Sequence, residues 1–215
     1  MKITLPRLPK DLDKAVGLKQ LINRDETLSE SHVQDEDISG IQAKSFNASD
    51  VRFERVNLTQ AKLEKTGFSD VELVNCELIA TSLPDSSWRQ VLVKNARGSG
   101  MQLQTSTLKD VTFVDSKLNL VNFRYSKLKN VCFKDCVLDE ADFYMAQLEN
   151  VYFQNCTLMK TEFSGSKLKK VDFRTSDMFG ILGIRSFSGA IIDSTQLMSL
   201  AGPIANELGI IVKDD

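Results

Sequence analysis

The side chains in this chain with the most chemical potential are its four cysteines, its one histidine, and lysines and carboxylates that recur at fixed spacing. Cys132 and Cys136 have C-x3-C spacing, while Cys76, Cys136 and Cys156 fall on one column of every twentieth position. A structural zinc site needs tight Cys pairs or Cys together with His. With His32 as the only histidine, the cysteines read as small apolar packing residues instead. The same scarcity leaves no material for a His-centred triad. Gly180-x-x-Gly183 is too short to be a dinucleotide motif, and no phosphate-cradling loop is present. The chain therefore reads as non-enzymatic, with no catalytic residue, no cofactor and no metal.

Bulk properties narrow the partners. The chain has 215 residues, with 27 Lys plus Arg against 29 Asp plus Glu and a net charge of -2. That balance argues against a whole-chain electrostatic grip on nucleic acid, so no direct nucleic-acid contact is expected. No apolar run approaches the ~18 residues of a membrane helix, so no membrane association is expected. Met1 to Lys10 lacks the apolar core of a signal peptide. Reduced thiols in a cytoplasmic protein follow as the expectation.

The elements that must position these residues are set by a repeat. Every fifth position from Phe53 to Met178 is apolar except Gly98. Two residues before each stands a smaller side chain such as Val111, Ser116, Val121 or Ser126. A period of five fits neither a helix nor a long strand. Two inward residues spaced by two give a short extended piece, and the residues between and after them leave room for a corner. The period of the small position sets the coil: Val51, Val71, Val91, Val111, Val131, Val151 and Val171 recur at every twentieth position. Four units thus bring the chain back over itself in a square coil, with coils ~4.8 Å apart. The inward core is read as Val111, Phe113, Val131, Phe133, Val151, Phe153, Val171 and Phe173. Regular coils stop near the ends, giving a cap segment over 1–37, a β-helix over 38–197, and a helix and tail over 198–215. Residues 10–24 are expected to form a short helix over the first coil and 26–37 an acidic loop. Leu197, Leu200, Ile204 and Leu208 have helical spacing, and Ile210, Ile211 and Val212 suit a final strand.

Units such as Ala141-Asp142-Phe143-Tyr144-Met145 and Val121-Asn122-Phe123-Arg124-Tyr125 resemble the A(D/N)Lxx pattern of the pentapeptide-repeat family. The resemblance covers roughly 41–197. It implies an all-β solenoid, a right-handed quadrilateral β-helix with a short N-terminal cap and a short C-terminal helix. The stretch from Phe187-Ser188-Gly189-Ala190 to Leu208-Gly209-Ile210-Ile211-Val212 looks like the tail of quinolone-resistance (Qnr-type) members. The opening Met1-Lys2-Ile3-Thr4, with Pro6 and Pro9, resembles their Gram-positive representatives. That likeness implies a homodimer through the C-terminal helix, with Leu197, Leu200, Ile204 and Leu208 as its contacts. It also implies a type II DNA topoisomerase, such as DNA gyrase, as partner, engaged by acidic mimicry of DNA. The acidic set is Asp115, Asp135, Asp142 and Glu162, expected on nearby corners of adjacent coils. Opposing it is a lysine stripe of Lys109, Lys127, Lys129, Lys167, Lys169 and Lys170, and residues 41–200 carry 20 Lys plus Arg against 18 Asp plus Glu. The other reading of the same surface is a structural or protein-interaction scaffold with no topoisomerase role.

Overall fold

The computed structural model describes residues 3–23 and 27–213. In chain order the elements are β1 (Asp13–Ala15), α1 (Leu18–Asn23), β2 (Leu28–Gln34), β3 (Gln42–Ala43), β4 (Asn47–Glu54), β5 (Lys62–Leu63), β6 (Gly67–Val74), β7 (Ser87–Lys94), β8 (Thr107–Val114), β9 (Lys127–Lys134), β10 (Gln147–Gln154), β11 (Lys167–Asp172), a 3-10 turn (Ile184–Ser186), β12 (Ala190–Ile191) and α2 (Ser194–Glu207). The main sheet runs β1-β2-β4-β6-β7-β8-β9-β10-β11-β12, all neighbours parallel. From β2 to β11 each paired residue meets the twentieth one after it, as in Val111↔Val131 and Val131↔Val151.

Each coil has four sides. In one of them the sides are residues 106–110, 111–115, 116–120 and 121–125, here called the first to fourth faces. Strand β8 covers most of the first two. The third and fourth pair by single bridges, Lys117↔Val137 and Asn122↔Asp142. The corners fall on Asp110, Asp115, Leu120 and Tyr125, with φ of 57, 51, 58 and 59°. A left-handed conformation costs an L-residue roughly 1–2 kcal/mol. The fold offsets it by engaging corner amides with the next coil. Asp115 N donates to Lys134 O, Leu120 N to Asp139 O and Tyr125 N to Tyr144 O, each at 3.0 Å. Asn and Asp suit this conformation, and their side chains also form ladders between coils. Asn95 donates to Asn75 at 2.6 Å, and Asn155 to Asp135 at 3.1 Å.

The interior is built from the expected columns. Val111, Phe113, Val131, Phe133, Val151, Phe153, Val171 and Phe173 are all buried. Phe113, Phe133, Phe153 and Phe173 stack face to face at 4.9, 5.1 and 5.0 Å, because coil spacing places identical rings one above another. Serine suits the small position because its hydroxyl bonds across coils. Ser126 Oγ donates to Leu103 O at 2.6 Å and accepts from Ser106 N at 3.2 Å.

The ends differ from expectation. Residues 28–34 are not an acidic loop but strand β2, paired with β4 as Leu28↔Ala48 and Val33↔Phe53. Coil structure thus begins ahead of residue 38. Leu28, Val33 and Ile38 continue the five-residue spacing and are buried. Glu36 occupies a small position, and its carboxylate accepts the Gly17 amide at 2.8 Å. The helix expected over 10–24 shrinks to α1, whose Leu18 and Ile22 close the first coil. At the other end Val171 pairs with Ala190, one position short of the regular register, the loss falling between Gly180 and Phe187. Helix α2 starts on an Asp193–Gln196 capping box, and Gln196 Nε2 donates to Phe173 O and Ser176 O at 2.7 and 2.8 Å. Pro203 lies inside α2, leaving Ser199 O without its helical donor. Ile210, Ile211 and Val212 form no strand and stand exposed. Ile210 N instead donates to Ala205 O at 2.8 Å, at the end of α2.

Candidate macromolecular interface

The columns of side chains fill the interior, so chemistry is confined to the outside. On each face the outward residues are those flanking the large inward one, and they align along the rod at every twentieth residue. On the first face these columns are Arg89, Lys109, Lys129, Glu149, Lys169 and, beside it, Ser87, Thr107, Lys127, Gln147, Lys167. The lysine stripe is therefore real, although Lys170 sits at the corner with φ 56°. Glu149 lies between Lys169 and Lys129, 2.9 and 3.3 Å from their ammonium groups. Their hydrogen bonds hold its carboxyl below the ordinary value. A groove of about 370 Å³ lies between the two columns, floored by Leu128 and Leu148.

The acidic set does not come together as one surface. Asp115 and Asp135 stack at the corner between the second and third faces. Asp142 and Glu162 pair as neighbours in the middle of the fourth face. The whole third face separates the two pairs, so the expectation of nearby corners is corrected. The cause is arithmetic: the step from 135 to 142 is longer than one full side of the square. Each pair is also partly engaged. Asp135 accepts from Asn155, and Asp142 accepts from Arg124 at 2.8 Å and from the Tyr144 amide at 2.8 Å. Glu162 accepts the Ser164 amide.

The Arg124 contact belongs to a cluster that sequence reading does not assemble. The Arg124 guanidinium lies 4.3 Å from the Tyr144 ring centre and 5.8 Å from that of Tyr125. The two rings meet edge to face at 5.8 Å. Positions 124 and 144 stack in one column, so the coil period is the signal that could have found it.

At the C-terminal end the four candidate dimer residues divide. Leu200 is buried against its own coil, Ile204 packs partly on the core, and Leu197 and Leu208 are exposed.

All four cysteines are free thiols. Cys76, Cys136 and Cys156 are inward, and the hydrogen bond to Cys156, together with burial, holds the Cys136 thiol protonated. Cys132 points outward but is only 8 % exposed, and burial pushes its thiol up to about 11. Labelling with a thiol reagent should therefore be slow near neutral pH and begin at Cys132. Its rate should rise roughly tenfold per pH unit as thiolate forms. Mass spectrometry of timed samples checks this, and first labelling at Cys136 would contradict the inward assignment. Among the described residues no group of His, Cys, Asp and Glu could hold a metal ion.

A parallel coil of five-residue sides, filled by its own side chains and patterned only outside, defines a class of solenoid. A family model described as pentapeptide repeat region matches residues 46–123 and 126–181, and the chain belongs to that family. No curated protein matches it. Among solved structures it is similar to full-length QnrB1, a plasmid-mediated fluoroquinolone resistance protein, at 16% identity over 84% of this chain and 100% of that one, TM-score 0.36. A trypsin-treated QnrB1 variant matches at 20% identity over 88% and 91%, TM-score 0.35. HetL of the cyanobacterium Nostoc, involved in heterocyst differentiation regulation, matches at 15% identity over 78% and 90%, TM-score 0.36.

Proposed function

We propose that this protein is a non-enzymatic rod that presents its outer faces to a macromolecular partner in the cytoplasm, and that the partner is a type II DNA topoisomerase. The observation that supports surface presentation is the filled interior: rings stacked at 4.9–5.1 Å leave the outside as the working part. The topoisomerase rests on the resemblance of the chain ends to Qnr-type members. The acidic corner of Asp115 and Asp135 is the element best suited to a cationic DNA-binding saddle, because both residues are exposed and the lysine face is not adjacent to it. Exposed Leu197 and Leu208 are the contacts assigned to a two-fold dimer.

Reversing Asp115 and Asp135 to Lys should weaken gyrase binding about tenfold or more at low salt. The loss should shrink at high salt, where the attraction is already screened. Lys127→Glu with Lys167→Glu should leave gyrase binding intact. Wild-type protein that neither binds gyrase nor alters its supercoiling at micromolar concentration defeats the proposal. A specific observation favours the scaffold reading instead: Lys134 directly precedes Asp135, Lys117 follows Asp115 by two residues, and Arg124 occupies Asp142, so the charge map is mixed. Absence of gyrase binding from every variant is the outcome that reading expects.

A further inference from the structure

The net charge of -2 hides a strong segregation of charge by face. Among the outward positions of the first face from 87 to 169 there are six cations, Arg89, Lys109, Lys127, Lys129, Lys167 and Lys169, and one carboxylate, Glu149. Glu149 engages Lys129 and Lys169. Lys109, Lys127 and Lys167 make no ion pair among the described residues, and Arg89 only donates to the Ser69 hydroxyl. Four cations thus remain for an outside anion, along a line of about 19 Å from the coil of Arg89 to that of Lys169. Lys109, Lys127 and Lys167 line the groove already described, and Arg89 stands one coil beyond it, paired in register with Lys109.

One corner beside the groove carries an exposed aromatic ring. Tyr125 is the corner residue two positions before Lys127 and is 53% exposed. The ring is held edge-on to Tyr144, with Arg124 beside both. Exposed Met145 follows one coil on. A cationic groove that tracks a backbone, with an exposed aromatic ring at its corner, is the arrangement that holds unpaired bases. A duplex keeps its base faces stacked and could use only the lysines. A flat anionic membrane would be met by a broad patch rather than a stripe one face wide, whose corners include the carboxylates Asp85 and Asp110.

We infer that the groove of the first face and the Tyr125 corner bind a single-stranded nucleic acid, with phosphates against Lys109, Lys127 and Lys167 and a base stacked on Tyr125. This surface is independent of the acidic corner and of any topoisomerase contact.

The test is fluorescence anisotropy of the full-length protein with a labelled oligothymidylate of about sixteen nucleotides. With about three phosphates neutralised, affinity should fall roughly twentyfold between 50 and 200 mM salt. Lys127→Glu with Lys167→Glu should weaken binding by at least tenfold, whereas Lys117→Glu on the third face should change it little. Tyr125→Ala should cost about tenfold on the single strand, leave the salt slope unchanged and leave duplex affinity unaltered. Circular dichroism confirms that each variant keeps its β-structure. Four results would overturn the inference: no binding at 50 mM salt, equal loss with Lys117→Glu, a duplex preferred over the single strand, or anionic vesicles of phosphatidylserine and phosphatidylcholine bound while the oligonucleotide is not.

Discussion

Phe133→Ala is expected to destabilise the protein by about 3–5 kcal/mol. The ring is fully buried and stacked between Phe113 and Phe153, with Phe123 and Phe143 edge-on at 5.9 and 6.3 Å. A side chain so enclosed leaves a void that its neighbours cannot close. They are themselves fixed by the rings of the next coils, and every coil backbone is hydrogen-bonded on both sides. Lys129→Ala, nearby in the same strand but on the outside, should stay within about 0.5 kcal/mol, since its partner Glu149 keeps Lys169 and surface pairs contribute little. Denaturant unfolding followed by circular dichroism and by the single, buried Trp88 compares the two. Similar midpoints would overturn the inward and outward assignment.

The second large effect is expected at Gly183. A Cβ there would lie 2.2 Å from Ser164 N and 2.6 Å from the Phe163 carbonyl carbon, and the residue has φ +77°. Both obstacles are backbone, held in the preceding coil, so neither can move aside as a flexible side chain would. Gly183→Ala should cost more than about 3 kcal/mol, combining strain with overlap. Gly40 provides the contrast: it too has positive φ, +67°, but nothing lies within 4 Å of its Cβ position. Gly40→Ala should cost only about 1 kcal/mol. Hydrogen exchange should show the Gly183 damage concentrated in the last coil and α2. Equal midpoints for the two variants would sink the argument, which attributes the effect to close approach rather than to φ.

The centre of the fold is legible in the sequence because two demands coincide at each residue. Val131 and Phe133 must face inward as strand neighbours, and each must stack on its own kind in the next coil. The ends lack the second demand. Leu28, Val33 and Ile38 keep the large-residue spacing, but Ile41 and Phe46 exchange sizes with Ala43 and Ala48, and Glu36 stands at a small position. Sequence pattern therefore starts the coils half a turn late, because Glu36 is compensated by the Gly17 amide, a partner invisible in sequence. The apolar Ile210-Ile211-Val212 reads as a strand, but the Ile210 amide is taken by Ala205 O at the end of α2. At the surface, the columns are readable and the pairing is not. Asp142 stands out as an acid, whereas Arg124 bonding it from one coil earlier emerges only with the register. The lysine stripe is visible as charge. Its neighbourhood with Tyr125 requires knowing that residue 125 is a corner and not a side.

The register between coils has a mechanical meaning as well. The bonds that join coils point along the rod, so tension applied between the two ends loads them one coil at a time. Each released coil yields roughly 70 Å of extended chain from less than about 5 Å of axis. Force applied across the rod instead shears the ladders of several coils together. The molecule is thus a spool, stiff when pressed from the side and able to pay out length when drawn from its ends.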